Sequence, residues 1–140
     1  MHDQIIKVGT KLPSLTHGPI SRATLALFAG ASNDHVPLHI DSDYAKLAGM
    51  DDVFGHGMLS MAYLAQLLTH WRPQADLLRW NVRFTAITPL HATVTSSGEV
   101  TEILEEDGCE VARIAVRTTT DSGVVTIEGD AFVAIDTKGE

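Results

Sequence analysis

The sequence predicts an α+β fold in which one long, very apolar helix lies inside a curved antiparallel sheet. Three observations predict it. The segment MLSMAYLAQLLTHW, 58–71, is apolar almost all round, with Ser60, Gln66 and Thr69 as its few polar points. Such a helix has to be covered on most of its surface. Beyond it the period changes: HATVTSSGEVTEIL, CEVARIAVRTTT and GVVTIEGDAFVAI are rich in β-branched residues and separated by EEDG and TDSG, which read as hairpin turns. A chain of 140 residues supports one core and not two. No repeat, linker or low-complexity segment divides it, so 1–140 reads as a single domain. Burying helix and sheet together wraps the second around the first.

Taken in order, VGTKLP (8–13) reads as a turn after a short strand. SRATLALFAGAS (21–32) opens on Ser21, a good N-cap, and places Leu25, Phe28 and Ala29 on one helical face. SNDHVPLHID (32–41) is a polar loop. SDYAKLAG (42–49) reads as a short helix with a Ser42 cap and a Gly49 stop. DDVFGHGM (51–58) is a glycine-dense turn into the long helix, which spans about Gly57 to Trp71 before Pro73 stops it. In NVRFTAI (81–87), Val82, Phe84 and Ala86 alternate with Asn81, Arg83 and Thr85, the pattern of a strand with one face inward.

Composition narrows the function. A hydrophobic content of 44 % with 20 % charged residues is that of a globular chain. The net charge of -8 opposes sequence-wide attraction to nucleic acid or an anionic membrane. Cys109 is the single cysteine, which excludes an intrachain disulfide and a cysteine-based zinc site. The N-terminus lacks the basic start and apolar core of a signal peptide. The most apolar run, GMLSMAYLAQLL, is shorter than the roughly 20 residues that span a bilayer. The expected compartment is the cytoplasm.

Two short stretches carry the chemistry. Asp34 stands five residues before His39, and Pro37 between them stiffens the backbone and restricts Val36. A carboxylate and an imidazole held this way can take a proton from water and return one to a polarised double bond. Gly57 lies where the long helix begins, so its N–H has no intrahelical acceptor and belongs to the positive end of the dipole. A carbonyl oxygen becoming an enolate is stabilised there. Together these groups point to addition of water across a carbonyl-conjugated double bond. Each also has a plainer reading: Asp34 as a turn acid, His39 as a structural histidine, Gly57 as an ordinary helix-start glycine. His35 reads as exposed and His56 as packing or hydrogen-bonding at the turn. His35 and His39 are spaced for a metal only on a helix, which Pro37 prevents, so no metal site is expected.

The order of the pieces resembles one family. A FAGAS helix, a D-x-x-P-x-H loop, a Tyr-Ala short helix and HGM opening a buried helix are similar to the MaoC-like hydratases and dehydratases of the hot-dog fold. The family pattern S-x-D-x-N-P-x-H followed by H-G-M reads here as SNDHVPLH (32–39) and HGM (56–58). NVRFTAITP (81–89) also looks like the strand after the central helix of single-domain members. The resemblance implies a hot-dog fold and (R)-specific hydration of trans-2-enoyl thioesters, or the reverse dehydration. It places the catalytic acid on Asp34, the imidazole on His39 and the oxyanion N–H on Gly57, with no cofactor. The partners it implies are an acyl thioester of CoA or a carrier protein and a second hot-dog unit, as a homodimer or heterodimer. Val36 departs from the family's asparagine, which puts the usual hydrogen bonding of the loop in question. Substrate contacts are expected from Val36, Pro37 and His56, from Met58, Tyr63 and Ala65 on the long helix, and from Arg83, with Arg72 and Arg79 near a phosphate. The rival expectations are a hot-dog thioesterase and a non-catalytic partner subunit, and Val36 is the one feature that favours the latter.

Overall fold

The first helix begins where Ser21 accepts a hydrogen bond from the Thr24 backbone N–H, at 3.1 Å. A computed structural model describes residues 5–135. In it β1 (Leu15–His17) precedes α1 (Arg22–Ser32), which Asn33 ends in the left-handed conformation at φ 57°. The loop that follows contains a single 3-10 turn, Pro37–His39. α2 (Ser42–Leu47) is capped by Asp41 rather than by Ser42: the carboxylate accepts from the N–H groups of Asp43 and Tyr44. A full negative charge suits the positive helix end better than a hydroxyl does.

β2 (Phe54–Gly55) leads into α3 (Gly57–Trp71), the long helix expected from the sequence, with the same ends. β3 (Leu77–Phe84), β4 (Thr88–Pro89), β5 (Val94–Glu106), β6 (Cys109–Thr120) and β7 (Val125–Ala134) follow. Five strands form one sheet in the order β1-β5-β6-β7-β3, every neighbouring pair antiparallel. The β5–β6 hairpin turns at Asp107 and Gly108, both at positive φ, as a tight two-residue connection requires. β2 pairs only with β4, two residues each, too short for a periodic signal. The short strand expected ahead of VGTKLP is absent among residues 5–7, and the rest of that stretch lies outside the described residues. Gly9 and Leu12 instead donate to the carbonyls of Val100 and Gly98 on β5.

Leu64, Leu67 and Leu68 of α3 pack on Val100, Ala112, Ile114, Ile127, Ala131 and Val133 of the sheet. Gly98 allows this approach, since a Cβ there would lie 3.1 Å from Ile114 and 3.5 Å from Leu67. A second cluster, Ile20, Leu25, Ala45, Val53, Leu59 and Val94, joins α1 and α2 to the first turn of α3. The helix is less covered than its composition predicts. Met58, at 53 % exposure, and Ala62, Gln66 and His70 leave a stripe open at four-residue spacing, because the sheet reaches only the opposite face. The expected inward face of β3 is corrected too: Trp80 and Val82 are half-buried, while Phe84 is 52 % exposed and Ala86 is exposed. β3 forms one edge of the sheet. Among the described residues no helix is long and apolar enough to cross a membrane.

Gly129 on β7 is opposite Val82 of β3 and Val116 of β6. A Cβ at this position would run into the Asn81 carbonyl oxygen and the Val82 Cα. Gly129→Ala is therefore expected to lever β3 from β7 and cost ~1–3 kcal/mol, the range of an overpacked site. Urea unfolding checks this as a lowered midpoint at unchanged slope.

Candidate active site

The loop after α1 is tied to itself before it is tied to anything else. Ser32 Oγ donates to the Phe28 carbonyl at 2.6 Å and accepts from the Asp34 N–H at 3.3 Å. Asp34 Oδ1 accepts from the Val36 N–H at 3.3 Å, an Asx-type turn. The Val36 carbonyl accepts from the His39 N–H at 3.0 Å, and the Pro37 carbonyl from those of Ile40 and Asp41. Position 36 thus contributes to the loop through its backbone, while its side chain is 46 % exposed. Valine at this position leaves all of these bonds intact.

His39 is held from three sides. Its Nδ1 lies 2.7 Å from the Phe54 carbonyl; a carbonyl only accepts, so Nδ1 carries the hydrogen and Nε2 keeps its lone pair. The ring meets Phe54 edge-on at 5.0 Å and stacks on His56 at 3.9 Å between centroids, 24° from parallel. His56 is 1 % exposed and touches Phe28 edge-on at 4.9 Å. Its Nε2–H donates to the Asp34 carbonyl at 3.1 Å, and its buried Nδ1 has no partner among the described residues. Burial pushes the His56 imidazole below its ordinary value of 6.5 against the opposing pull of the Asp34 carbonyl, and proximity to His39 lowers it further.

Asp34, His39 and His56 bring donor atoms within 4.8 Å of one another. They suit a cation poorly. The two rings lie face to face, so their lone pairs do not converge, and the Nε2–H of His56 is already engaged. What remains open to a ligand is the Asp34 carboxylate and His39 Nε2. Gly57 begins α3 immediately after His56, and its N–H has no intrahelical acceptor. Glycine leaves room there: a Cβ would sit 3.0 Å from two ring atoms of Phe84, which would have to shift to admit it.

A groove of about 400 Å³ runs beside Asp34, lined by Phe28, Met58, Met61, Ala62, Ala65 and Trp80. Of the three positions expected to meet substrate on α3, Met58 and Ala65 line this groove and Tyr63 does not. Tyr63 points to the other side of the helix and stacks on His17 at 4.1 Å, because 58, 61, 62 and 65 share a helical stripe that 63 leaves. The Arg83 guanidinium is engaged by Glu128 at 2.6 Å. Arg79 pairs with Glu106, and Arg72 with Asp76. His35 is exposed. Phe28, Met61, Ala62 and Trp80 are groove residues that the sequence reading does not place in the site; the four-residue spacing of Met58, Ala62 and Gln66 is the available signal for the groove side of α3.

One antiparallel sheet wrapped around a single long helix, with a polar loop folded over the N-terminus of that helix, is the hot-dog fold. The chain belongs to the MaoC-like domain family, whose description matches residues 6–124. It is similar to the (R)-specific enoyl-CoA hydratase of Rhodospirillum rubrum, at 33 % identity over 123 residues, 86 % of this chain and 83 % of that one. The R-hydratase PhaJ1 from Pseudomonas aeruginosa in its unliganded form is similar at 29 % identity with a TM-score of 0.81, covering 94 % of this chain and 83 % of that one. The ChsH1-ChsH2 complex from Mycobacterium tuberculosis shares the fold at a TM-score of 0.80 and 21 % identity, over 94 % of this chain and 100 % of the matched one.

His56 gives the site a pH signature. Its folded-state value is depressed, so the unfolded chain binds the proton more readily. Its stability contribution is present above about 6.5, the unfolded value, and is lost as pH falls below it. Urea midpoints of the wild-type chain are expected to drop from about pH 7 to about pH 5 more steeply than those of His56→Gln, which has no imidazole to titrate.

Proposed function

We propose that the chain hydrates trans-2-enoyl thioesters to (R)-3-hydroxyacyl thioesters, and catalyses the reverse dehydration. The observation that carries this reading is the pairing of the Asp34 carboxylate with a lone-pair-bearing His39 Nε2 on a loop beside the open N-terminus of α3. The thioester carbonyl accepts a hydrogen bond from the Gly57 N–H, which draws electron density from the conjugated double bond and makes Cβ electrophilic. Water held between Asp34 and His39 loses a proton to the pair as its oxygen attacks Cβ. The pair returns a proton to Cα on the same face, so atoms and charge balance and no cofactor enters. The two groups act as one coupled acid–base unit.

The groove along Met58, Ala62 and Ala65 takes the acyl chain, since its walls are almost wholly apolar. Coenzyme A is the proposed carrier, in line with the activity named for the Rhodospirillum rubrum relative. The open stripe of α3 and the free edge of β3 make a second hot-dog subunit the proposed partner, another copy of this chain or a similar one. The bonds within the loop run through the backbone N–H and C=O of Val36, which supports the catalytic reading over that of a non-catalytic partner subunit.

Purified protein mixed with a short trans-2-enoyl-CoA is expected to bleach the conjugated chromophore without releasing free thiol. Asp34→Asn and His39→Gln are each expected to lower kcat by ~10²–10⁴, the span of positioned acid–base catalysis. Thiol release in place of hydration would move the chain to the thioesterases. Silence toward short, long, steroid and carrier-protein substrates, alone and with a second hot-dog subunit, would overturn the enzyme assignment.

A further inference from the structure

The hydration chemistry leaves His56 without a role, yet it is the most buried ionisable side chain of the site, at 1 % exposure. Three contacts converge on it. Its Nε2–H holds the main-chain carbonyl of Asp34 across 22 residues of sequence, at 3.1 Å. One face of its ring supports the His39 imidazole at 3.9 Å. Its edge is braced by Phe28 of α1 at 4.9 Å. Its own peptide continues directly into Gly57, and its carbonyl accepts from the Leu59 N–H at 3.1 Å to begin α3.

We propose that His56 is the positioning residue of this site, setting the carboxylate, the imidazole and the oxyanion N–H in one mutual geometry. The proposal rests on the hydratase reading for its kinetic consequences and on the contacts of the ring for its structural ones. Among the described residues Asp34 has no other hydrogen bond to α3 or its leading turn. Without the His56 donor the Asp34 end of the loop keeps only bonds within itself, and the loop's remaining tie to that turn is the one His39 makes to the Phe54 carbonyl. His39 has a fixed tautomer from the Phe54 carbonyl, but that one bond leaves the ring free to swing about it. The stacked face of His56 removes the swing. The charged and titratable groups against the ring are Asp34 and His39, and burial keeps His56 neutral beside them. A neutral ring can support an imidazole that gains and loses a proton in each turnover, whereas an imidazolium would repel it.

The contacts separate into a donor and a stacking face, and variants can remove them singly. His56→Gln keeps a donor near the Nε2 position and loses the aromatic face; His56→Phe keeps the face and loses the donor. His56→Phe is expected to lower kcat by ~10–100-fold with KM changed by less than about threefold, the signature of misplaced groups and not of lost substrate binding. His56→Gln is expected to recover at least about fivefold of that loss. Rates are to be normalised to the folded fraction from a melting curve, so that a purely structural role moves the melting midpoint and leaves normalised kcat alone. A normalised kcat for His56→Phe within about twofold of wild type would overturn the proposal.

A second measurement needs no variant and no activity. Nitrogen-15 NMR of the imidazoles of the intact protein at pH 7 is expected to show His56 as the neutral Nε2–H tautomer, with its proton protected from solvent exchange. The Nδ1–H tautomer or an imidazolium would sink the proposal whatever the enzyme catalyses. Absence of hydration in the wild-type chain with the expected tautomer would instead count against the hydratase reading alone.

Discussion

Leu64, Leu67 and Leu68 form the face of α3 that the sheet covers, and the remaining placements follow from that contact. Each such side chain contributes ~1.5–3 kcal/mol when removed from water. The sheet answers with β-branched and small residues, and Gly98 on β5 clears the room that Ile114 and Leu67 fill. Once this seam is closed the axis of α3 is set, and the point where its N-terminus emerges is set with it. That point is occupied by His56 and Gly57.

The second cluster turns this end of the helix into a site. Leu25 of α1, Ala45 of α2 and Leu59 of α3 share one small core, so the loop between the first two helices is carried over the start of the third. Arg22 reinforces the arrangement from outside, donating to both carboxylate oxygens of Asp52 in the segment before β2 and holding that carboxyl down at about 2. The pair is exposed and its contribution is modest. The buried contacts matter more: His56 lies between Phe28 and His39 and is hydrogen-bonded to Asp34, so α1 and the loop after it meet on one imidazole from a later part of the chain. A site assembled this way is preorganised by packing and not by any one strong bond.

Position 36 enters the loop through its backbone alone. The loop uses the N–H and C=O of Val36, groups that every residue but proline supplies in full, and turns the side chain outward. Tyr63 and Arg83 show the converse. Both are residue types suited to a ligand, and both are claimed by neighbours within the chain: His17 stacks on the one and Glu128 pairs with the other. Chemistry inferred from residue type holds only where the fold leaves the functional atoms unoccupied.

The sequence by itself determined the long helix from Gly57 to Trp71, the Ser21 cap, the Asp107–Gly108 hairpin and the proximity of Asp34 to His39. These depend on spacing, propensity and local hydrogen bonds, which act over a few residues and are written in order along the chain. Tertiary structure alone decided that His56 stacks under His39 and grips Asp34, that β2 finds β4, that α3 keeps one stripe open, and that Trp80 and Ala62 share a groove. Those contacts join residues from different elements, far enough apart along the chain that no periodicity links them. They form because apolar surface is buried wherever it fits, and the buried polar groups then take the partners that packing has left within reach.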